Sequence, residues 1–304
     1  MTTTDQVSVA IVGGDTPQGA EFLRLALAHP GLEVTGVSAR AHAGQPITEV
    51  HPTLRGVTRL GFRAAADLGE ADVLVLADTV EDGPHEGSRL TLDLTGRRVA
   101  DALTPGSGWV YGLPERMRSA LRGAARVAAP GDLAAAAVLT LAPLLERGVL
   151  LPRGLRLTEV RGAPAPAFAV GHEQAGEIAR ALPGRFPLEF TAAHLPGVAG
   201  LLLLAEAWVP DGYSDRDVWS AYREAYAGEA FVRLLPGDTP DPARLRGTPF
   251  IELGTTLDLD SGRVLLTAAL DPRGRGGAGQ ALQSLNLALG QPEGTGLGFT
   301  GLLP

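Results

Sequence analysis

The residue types that most often carry covalent chemistry are missing from this chain. Its 304 residues include no cysteine, and all 26 basic residues are arginine. A thiolate nucleophile, a disulfide, a thiolate metal site and a lysine Schiff base are therefore excluded. The histidines offer no metal spacing: a Pro/Gly-rich loop separates His42 from His51, and His85 stands alone in an acidic stretch. One pattern does suggest chemistry. QVSVAIVGG at residues 6–14 reads as a buried strand running into glycines, and residues 17–29 follow with helical apolar spacing. Backbone N–H groups and the helix dipole at such a turn can hold a pyrophosphate.

The candidate contacts of that turn are Gly13, Gly14, Thr16, Pro17, Gln18 and Gly19. Thr16 stands where a G-x-x-G-x-x-G turn has its middle glycine, and a β-branched side chain impedes close approach of phosphates. Pro17 removes one N–H, at little cost in the first helical position. The turn alone serves a cofactor or a purely structural bend equally well. Ser38 and Arg40 end the next strand, where an arginine suits the 2'-phosphate of NADP; as a lone residue it also reads as a solvated surface cation.

The elements that must position these residues form two styles. Apolar runs at 32–38, 71–78, 90–94 and 126–129 continue the first strand toward a parallel sheet covered on both faces, a Rossmann-type α/β domain. DLAAAAVLTLAPLLERG then starts a helix at Asp132, read as its N-cap, and closes it at Gly148. Longer strands at 155–161, 199–208, 250–259 and 263–270, with one helix at 215–226, predict an antiparallel-rich α+β domain. A last helix spans 278–289. The net charge of −8 argues against nucleic acid. No apolar run approaches the roughly 18 residues of a membrane span, and no signal pattern precedes residue 6, so the expected location is cytoplasmic.

In order, the chain carries GAEFLRLALAHPGLEV from Gly19, SARAHAGQPITEVHPTLRG from Ser38 and YGLPE from Tyr111. WSAYREAYAGEAFVRLL from Trp219 and GAGQALQSLNLALGQPEGTGL from Gly277 follow. With these runs it resembles the N-acetyl-γ-glutamyl-phosphate reductases of arginine synthesis and the aminoadipyl-phosphate reductases of lysine synthesis. The resemblance implies a Rossmann NAD(P)-binding-type domain of residues 1–132 with about 276–304, the last helix returning to it. It assigns residues 133–275 to an α/β domain for substrate and dimer contacts. It implies NADP as cofactor and a homo-oligomer, dimer or tetramer, or a hetero-oligomer with an active paralogue. Members reduce an acyl phosphate to a semialdehyde through a cysteine thioester, with a histidine as acid/base.

The match exposes its own exceptions. A segment like A-N-P-G-C-Y-P-T corresponds to Ala128-Ala129-Pro130-Gly131, which puts Asp132 at the cysteine position. A segment like G-H-R-H-T-P-E-I corresponds to GHEQAGEI, which keeps His172 as a ligand contact but puts Gln174 at the histidine position. H-L-x-P-M-x-R-G survives only in part, with Ala193 for its histidine, His194 one residue off, and Ala199 for its arginine. D-N-L-x-K-G-A-A-G becomes DPRGRGGAG, with Pro272 and Arg275 as replacements. An aspartate is a weaker nucleophile than a thiolate, and a glutamine exchanges no proton near neutral pH. The leading expectation is a non-catalytic family member that acts as a binding or assembly partner. The alternatives are an NADPH-dependent oxidoreductase that works without a thioester, and an acyl-phosphate hydrolase using Asp132 or His172.

Overall fold

A computed structural model describes residues 6–79 and 87–301; His85 lies outside them. The chain divides into two compact units, one holding the described residues up to Pro130 together with Gly277–Gly298, the other holding Gly131–Gly276 with the described residues from Phe299 on. Among the described residues no helix is long and apolar enough to cross a membrane.

The first unit opens with β1 (Val7–Val12), α1 (Pro17–Ala28), β2 (Leu32–Val37) and the single turn α2 (Ile47–Val50). It continues with β3 (Val73–Leu76), β4 (Leu90–Asp93), the short α3 (Val99–Ala102), β5 (Val110–Tyr111), α4 (Pro114–Leu121) and β6 (Arg126–Ala128). Its six strands pair in parallel in the order β2-β1-β3-β4-β6-β5. Strand β1 is interior to that order, which is why Val9 to Val12 are all buried and read as one continuous apolar run. The YGLPE segment joins a strand to a helix: Tyr111 lies in β5, and Pro114 opens α4 at a position where its missing N–H is harmless.

The second unit begins with α5 (Asp132–Glu146) and continues through β7 (Leu155–Gly162), β8 (Ala167–Val170), α6 (Ala175–Ala181), β9 (Leu188–Leu195) and β10 (Leu201–Trp208). After α7 (Asp215–Tyr226) come β11 (Val232–Leu234), β12 (Ile251–Asp258) and β13 (Arg263–Leu270). The seven strands run in the order β11-β12-β13-β10-β7-β9-β8. Pairing is antiparallel except for β7 with β9 and β11 with β12. Burial alternates along β10, with Leu201, Leu203, Ala205 and Ala207 inside, because successive side chains in a strand point to opposite faces. Helix α7 matches its sequence pattern, and Ser214 with Asp217 forms a capping box at its start.

The final helix α8 (Gly279–Ala288) packs in the first unit, against α4 and α1. Its polar residues are buried and mostly bonded: Gln280 Nε2 and Ser284 Oγ donate to the carbonyl of Gly112 at 3.0 and 3.2 Å, while Gln280 Oε1 has no partner among the described residues. His29 bonds Asn286 Oδ1 through Nε2 at 3.1 Å, and burial pushes its imidazole pKa down.

Helix α5 is buried over nearly its whole length and contains Pro143. Proline has no N–H for the carbonyl four residues earlier, here Leu139. The α7 tyrosines repair this loss, since Tyr226 Oη donates to Leu139 O and Tyr222 Oη donates to Thr140 O at 2.7 Å. Burial holds the Tyr222 hydroxyl protonated by pushing its pKa up. We expect Tyr226→Phe to destabilise the chain by about 1–3 kcal/mol by leaving a buried carbonyl unsatisfied. Urea unfolding checks this, as a lower midpoint at unchanged slope.

Candidate functional site

The start of α5 is crowded with polar groups. Gly131, with no side chain, takes the cap position, and Asp132 is the first helical residue, so the expected N-cap role of Asp132 is corrected. A Cβ at Gly131 would overlap the Gln174 amide where it now lies, so the glycine makes room for that amide. Capping comes instead from α6 and the residue before it. Gln174 Oε1 accepts the N–H of Ala134 at 2.9 Å, and the Glu177 carboxylate accepts that of Gly131 at 3.1 Å. Asp132 Oδ1 accepts the N–H of Leu133 at 2.8 Å and Gln174 Nε2 at 2.9 Å. The N–H groups of Gly131, Leu133 and Ala134, donors that a helix N-terminus offers to an anion, are thus met by the protein's own side chains.

Strand β7 adds charge. Asp132 Oδ2 pairs with Arg161 Nη2 at 3.0 Å, and Arg161 also binds Glu159 Oε1. Glu159 is 1% exposed. Its other oxygen, Oε2, meets His172 Nε2 at 3.4 Å and His194 Nε2 at 3.2 Å. Burial works against the Arg161 charge, but Asp132 and Glu159 outweigh it and hold the guanidinium pKa above its ordinary range. His172 Nδ1 accepts the N–H of Gln174 at 3.1 Å, so both ring nitrogens are engaged. The structure therefore brings together Asp132, Gln174 and His172, and joins to them Glu159, Arg161 and His194.

Sequence reasoning missed Glu159 and Arg161. Their signal was present in LTEVRG, where two charged residues at alternate positions continue the face that Leu155 and Leu157 bury. His194 had been noted only as displaced. In β9 a one-residue shift moves a side chain to the opposite face of the sheet. His194 consequently stands beside Arg161 in register and reaches Glu159. Among the described residues no cluster of three His, Cys, Asp or Glu side chains could hold a metal ion.

The DPRGRGGAG segment is organised by Asp271, whose carboxylate accepts the N–H groups of Arg273, Gly274 and Gly247. Arg275, at the position of the family's lysine, is fully buried.

In the first unit the glycine turn has the backbone shape expected of it. Gly13 sits at φ +79°, a conformation that favours glycine, and a Cβ on it would meet Asp78. Gly19 lies against the Gly13 carbonyl. The donors are turned inward, however. Gly13 N–H points at Ser38 Oγ at 3.4 Å, Gly14 N–H donates to Ser38 O at 2.8 Å, and Thr16 N–H donates to Gly13 O at 3.1 Å. Thr16 Oγ1 caps α1 by accepting the N–H of Gly19 at 3.0 Å and donates toward Gly13 O and Ala77 O. Pro17 has no N–H, and Gln18 Oε1 accepts the N–H of Ala278 at 3.2 Å. Asp15, at the turn, lies 3.9 Å from His42, so the turn carries a negative charge where a pyrophosphate would add two. The fold of a dinucleotide loop is present, while its free backbone donors are largely used. Arg40 is exposed beyond β2 and has no acidic partner among the described residues.

A parallel sheet with a glycine turn, joined to a mixed-sheet unit, is the architecture of a two-domain dehydrogenase. Residues 8–124 match the semialdehyde dehydrogenase NAD binding domain, and residues 153–272 match the semialdehyde dehydrogenase dimerisation domain. The fold is similar to aspartate semialdehyde dehydrogenase II of Vibrio cholerae, with a TM-score of 0.70 at 12% identity over 94% of this chain and 99% of that one. It is also similar to the Candida albicans aspartate semialdehyde dehydrogenase crystallised with NADP, with a TM-score of 0.68 at 14% identity over the same shares. The sequence is 42% identical to the LysW-L-2-aminoadipate 6-phosphate reductase of Deinococcus radiodurans over 99% of both chains. It is 33% identical to the N-acetyl-gamma-glutamyl-phosphate reductase of Frankia casuarinae over 98% of this chain and 99% of that one. The chain belongs to the semialdehyde dehydrogenase family, in the branch of these acyl-phosphate reductases.

The cap at α5 makes a quantitative expectation. Gln174→Ala deletes one helix-capping acceptor and one donor to Asp132, and should cost about 1–2 kcal/mol in urea unfolding. Gln174→Glu should cost more at pH 7, by placing a second carboxylate against Asp132, and should recover as the pH is lowered.

Proposed function

We propose that this chain has lost the acyl-phosphate reductase reaction for which its relatives are named and acts as a binding or assembly partner. The observation that carries this reading is Asp132. It stands at the position that the resemblance gives to the nucleophilic cysteine, and both of its oxygens are already engaged, by Gln174, Leu133 and Arg161. A carboxylate so held is a poor nucleophile, and its acyl adduct would be an anhydride open to hydrolysis. Gln174, at the acid/base position, serves as a helix cap.

NADP remains the cofactor that the fold and Arg40 suit, with binding weakened at the pyrophosphate. The second reading, an NADPH-dependent reductase without a thioester, draws support from the intact turn and from Arg40. Mixing the purified chain with NADPH and N-acetylglutamyl phosphate or the corresponding aminoadipyl phosphate separates the two. The expected outcome is no semialdehyde, and steady formation would defeat the proposal. In calorimetry NADPH should bind with a Kd above about 1 mM, and Asp15→Ser combined with Thr16→Gly should tighten it by about tenfold.

The partner surface is the sheet face opposite α5 and α7. Leu202, Leu204, Val160 and Leu265 are half-buried there, with the Arg156–Glu189 and Arg263–Glu206 pairs toward one end. An apolar centre beside charged residues is the make-up of an association interface. The matched dimerisation domain spans the same strands. Light scattering should report an oligomer, homomeric or with an active paralogue, that Leu204→Arg reduces to monomer.

A further inference from the structure

Loss of the thioester route leaves one reactive arrangement intact. Glu159 is buried, and its two oxygens bind different partners: Arg161 on Oε1 and an imidazole pair on Oε2. Of that pair, His172 has both ring nitrogens engaged and an 11% exposed side chain. His194 differs. Its Nε2 faces the carboxylate and therefore carries the proton, which leaves the Nδ1 lone pair unbonded among the described residues on a side chain 36% exposed. Arg161, its register partner, directs Nε and Nη2 to Asp132 and Glu159, and its Nη1 makes no bond to the described residues. One carboxylate thus fixes both a base with an open lone pair and a cation with open donors. Carboxylate-oriented imidazoles with a free second nitrogen are general bases, and fixed N–H donors stabilise developing oxyanions.

We infer that His194 and Arg161 form a hydrolytic site for carboxylic esters, with Glu159 as the positioning residue, an activity separate from the reductase reaction. His194 Nδ1 accepts a proton from water as the water oxygen bonds to the acyl carbon, and the carbonyl electron pair moves onto its oxygen against Arg161 Nη1. Collapse of that adduct breaks the bond to the leaving alkoxide, which departs with the electron pair and takes the proton from His194. Acid and alcohol result, and no cofactor is consumed.

The charge balance selects the substrate. The carboxylates of Asp132, Glu159 and Glu177 gather here against one guanidinium, that of Arg161, which leaves an excess of negative charge. That charge repels a phosphate leaving group and admits an uncharged ester.

The test uses the full chain with p-nitrophenyl acetate and, separately, acetyl phosphate, in the absence of NADPH. Ester hydrolysis should saturate, and His194→Gln should lower kcat/KM by about 10²-fold, chiefly in kcat. Glu159→Gln should lower kcat while the protein remains folded by circular dichroism. If it does not fold, the His194 variant decides, because that side chain is partly exposed. A wild-type rate equal to that of His194→Gln would overturn the inference, and so would faster turnover of acetyl phosphate than of the ester. Failure of this activity leaves the reductase reading untouched, since semialdehyde formation is read through NADPH oxidation.

Discussion

A helix N-terminus exposes N–H groups that must find an acceptor, and in this protein the chain supplies most of those acceptors itself. At α5 they come from Gln174, Glu177 and the carboxylate of Asp132; at α1 from Thr16. In a binding protein the same donors are left for a phosphate or an oxyanion, which completes the cap only when it arrives. A self-supplied cap exchanges that capacity for stability. Each cap is worth about 1 kcal/mol. A site that retained free donors would have to be held open by its surroundings at a comparable cost.

The same constraint links the charged groups on β7 to the helix. Asp132, buried at the start of α5, needs a counter-charge, and Arg161 provides one. Arg161 in turn lies half-buried between two carboxylates, and Glu159 is covered except for its contacts with Arg161, His172 and His194. These residues form one electrostatic unit in which no member's charge is balanced alone. Substitution at Asp132 therefore reaches beyond one atom, because the pairing of Arg161 depends on it.

The sequence made the frame legible where one physical signal dominated. Helix α7 has a capping box, a clear apolar stripe and a stop, and its predicted bounds are those observed. Strands β1, β3 and β4 read through because both of their faces are largely buried. Strands β8, β9 and β11 did not. Phe168 and Val170 on β8 are exposed, so no alternation marks it, and β11 has only three residues. At the site, Asp132 and Gln174 were visible as departures from a pattern. Their partners were not, because Glu159 and Arg161 acquire meaning only when β7 is laid beside β9 and the start of α5. Cap and first helical position also differ by one residue, a distinction that helix propensity cannot resolve and hydrogen bonds can.

The absence of cysteine thus has a structural counterpart. A thiol at residue 132 would leave Arg161 paired with Glu159 alone, and would leave Gln174 Nε2 facing a weak acceptor instead of a carboxylate. Gln174 would also still fill the space above Gly131. Removing Gln174 to admit a histidine uncaps Ala134. Each single substitution therefore opens an unmet polar group beside the one it changes, so Asp132, Gln174 and Arg161 act as one coupled network.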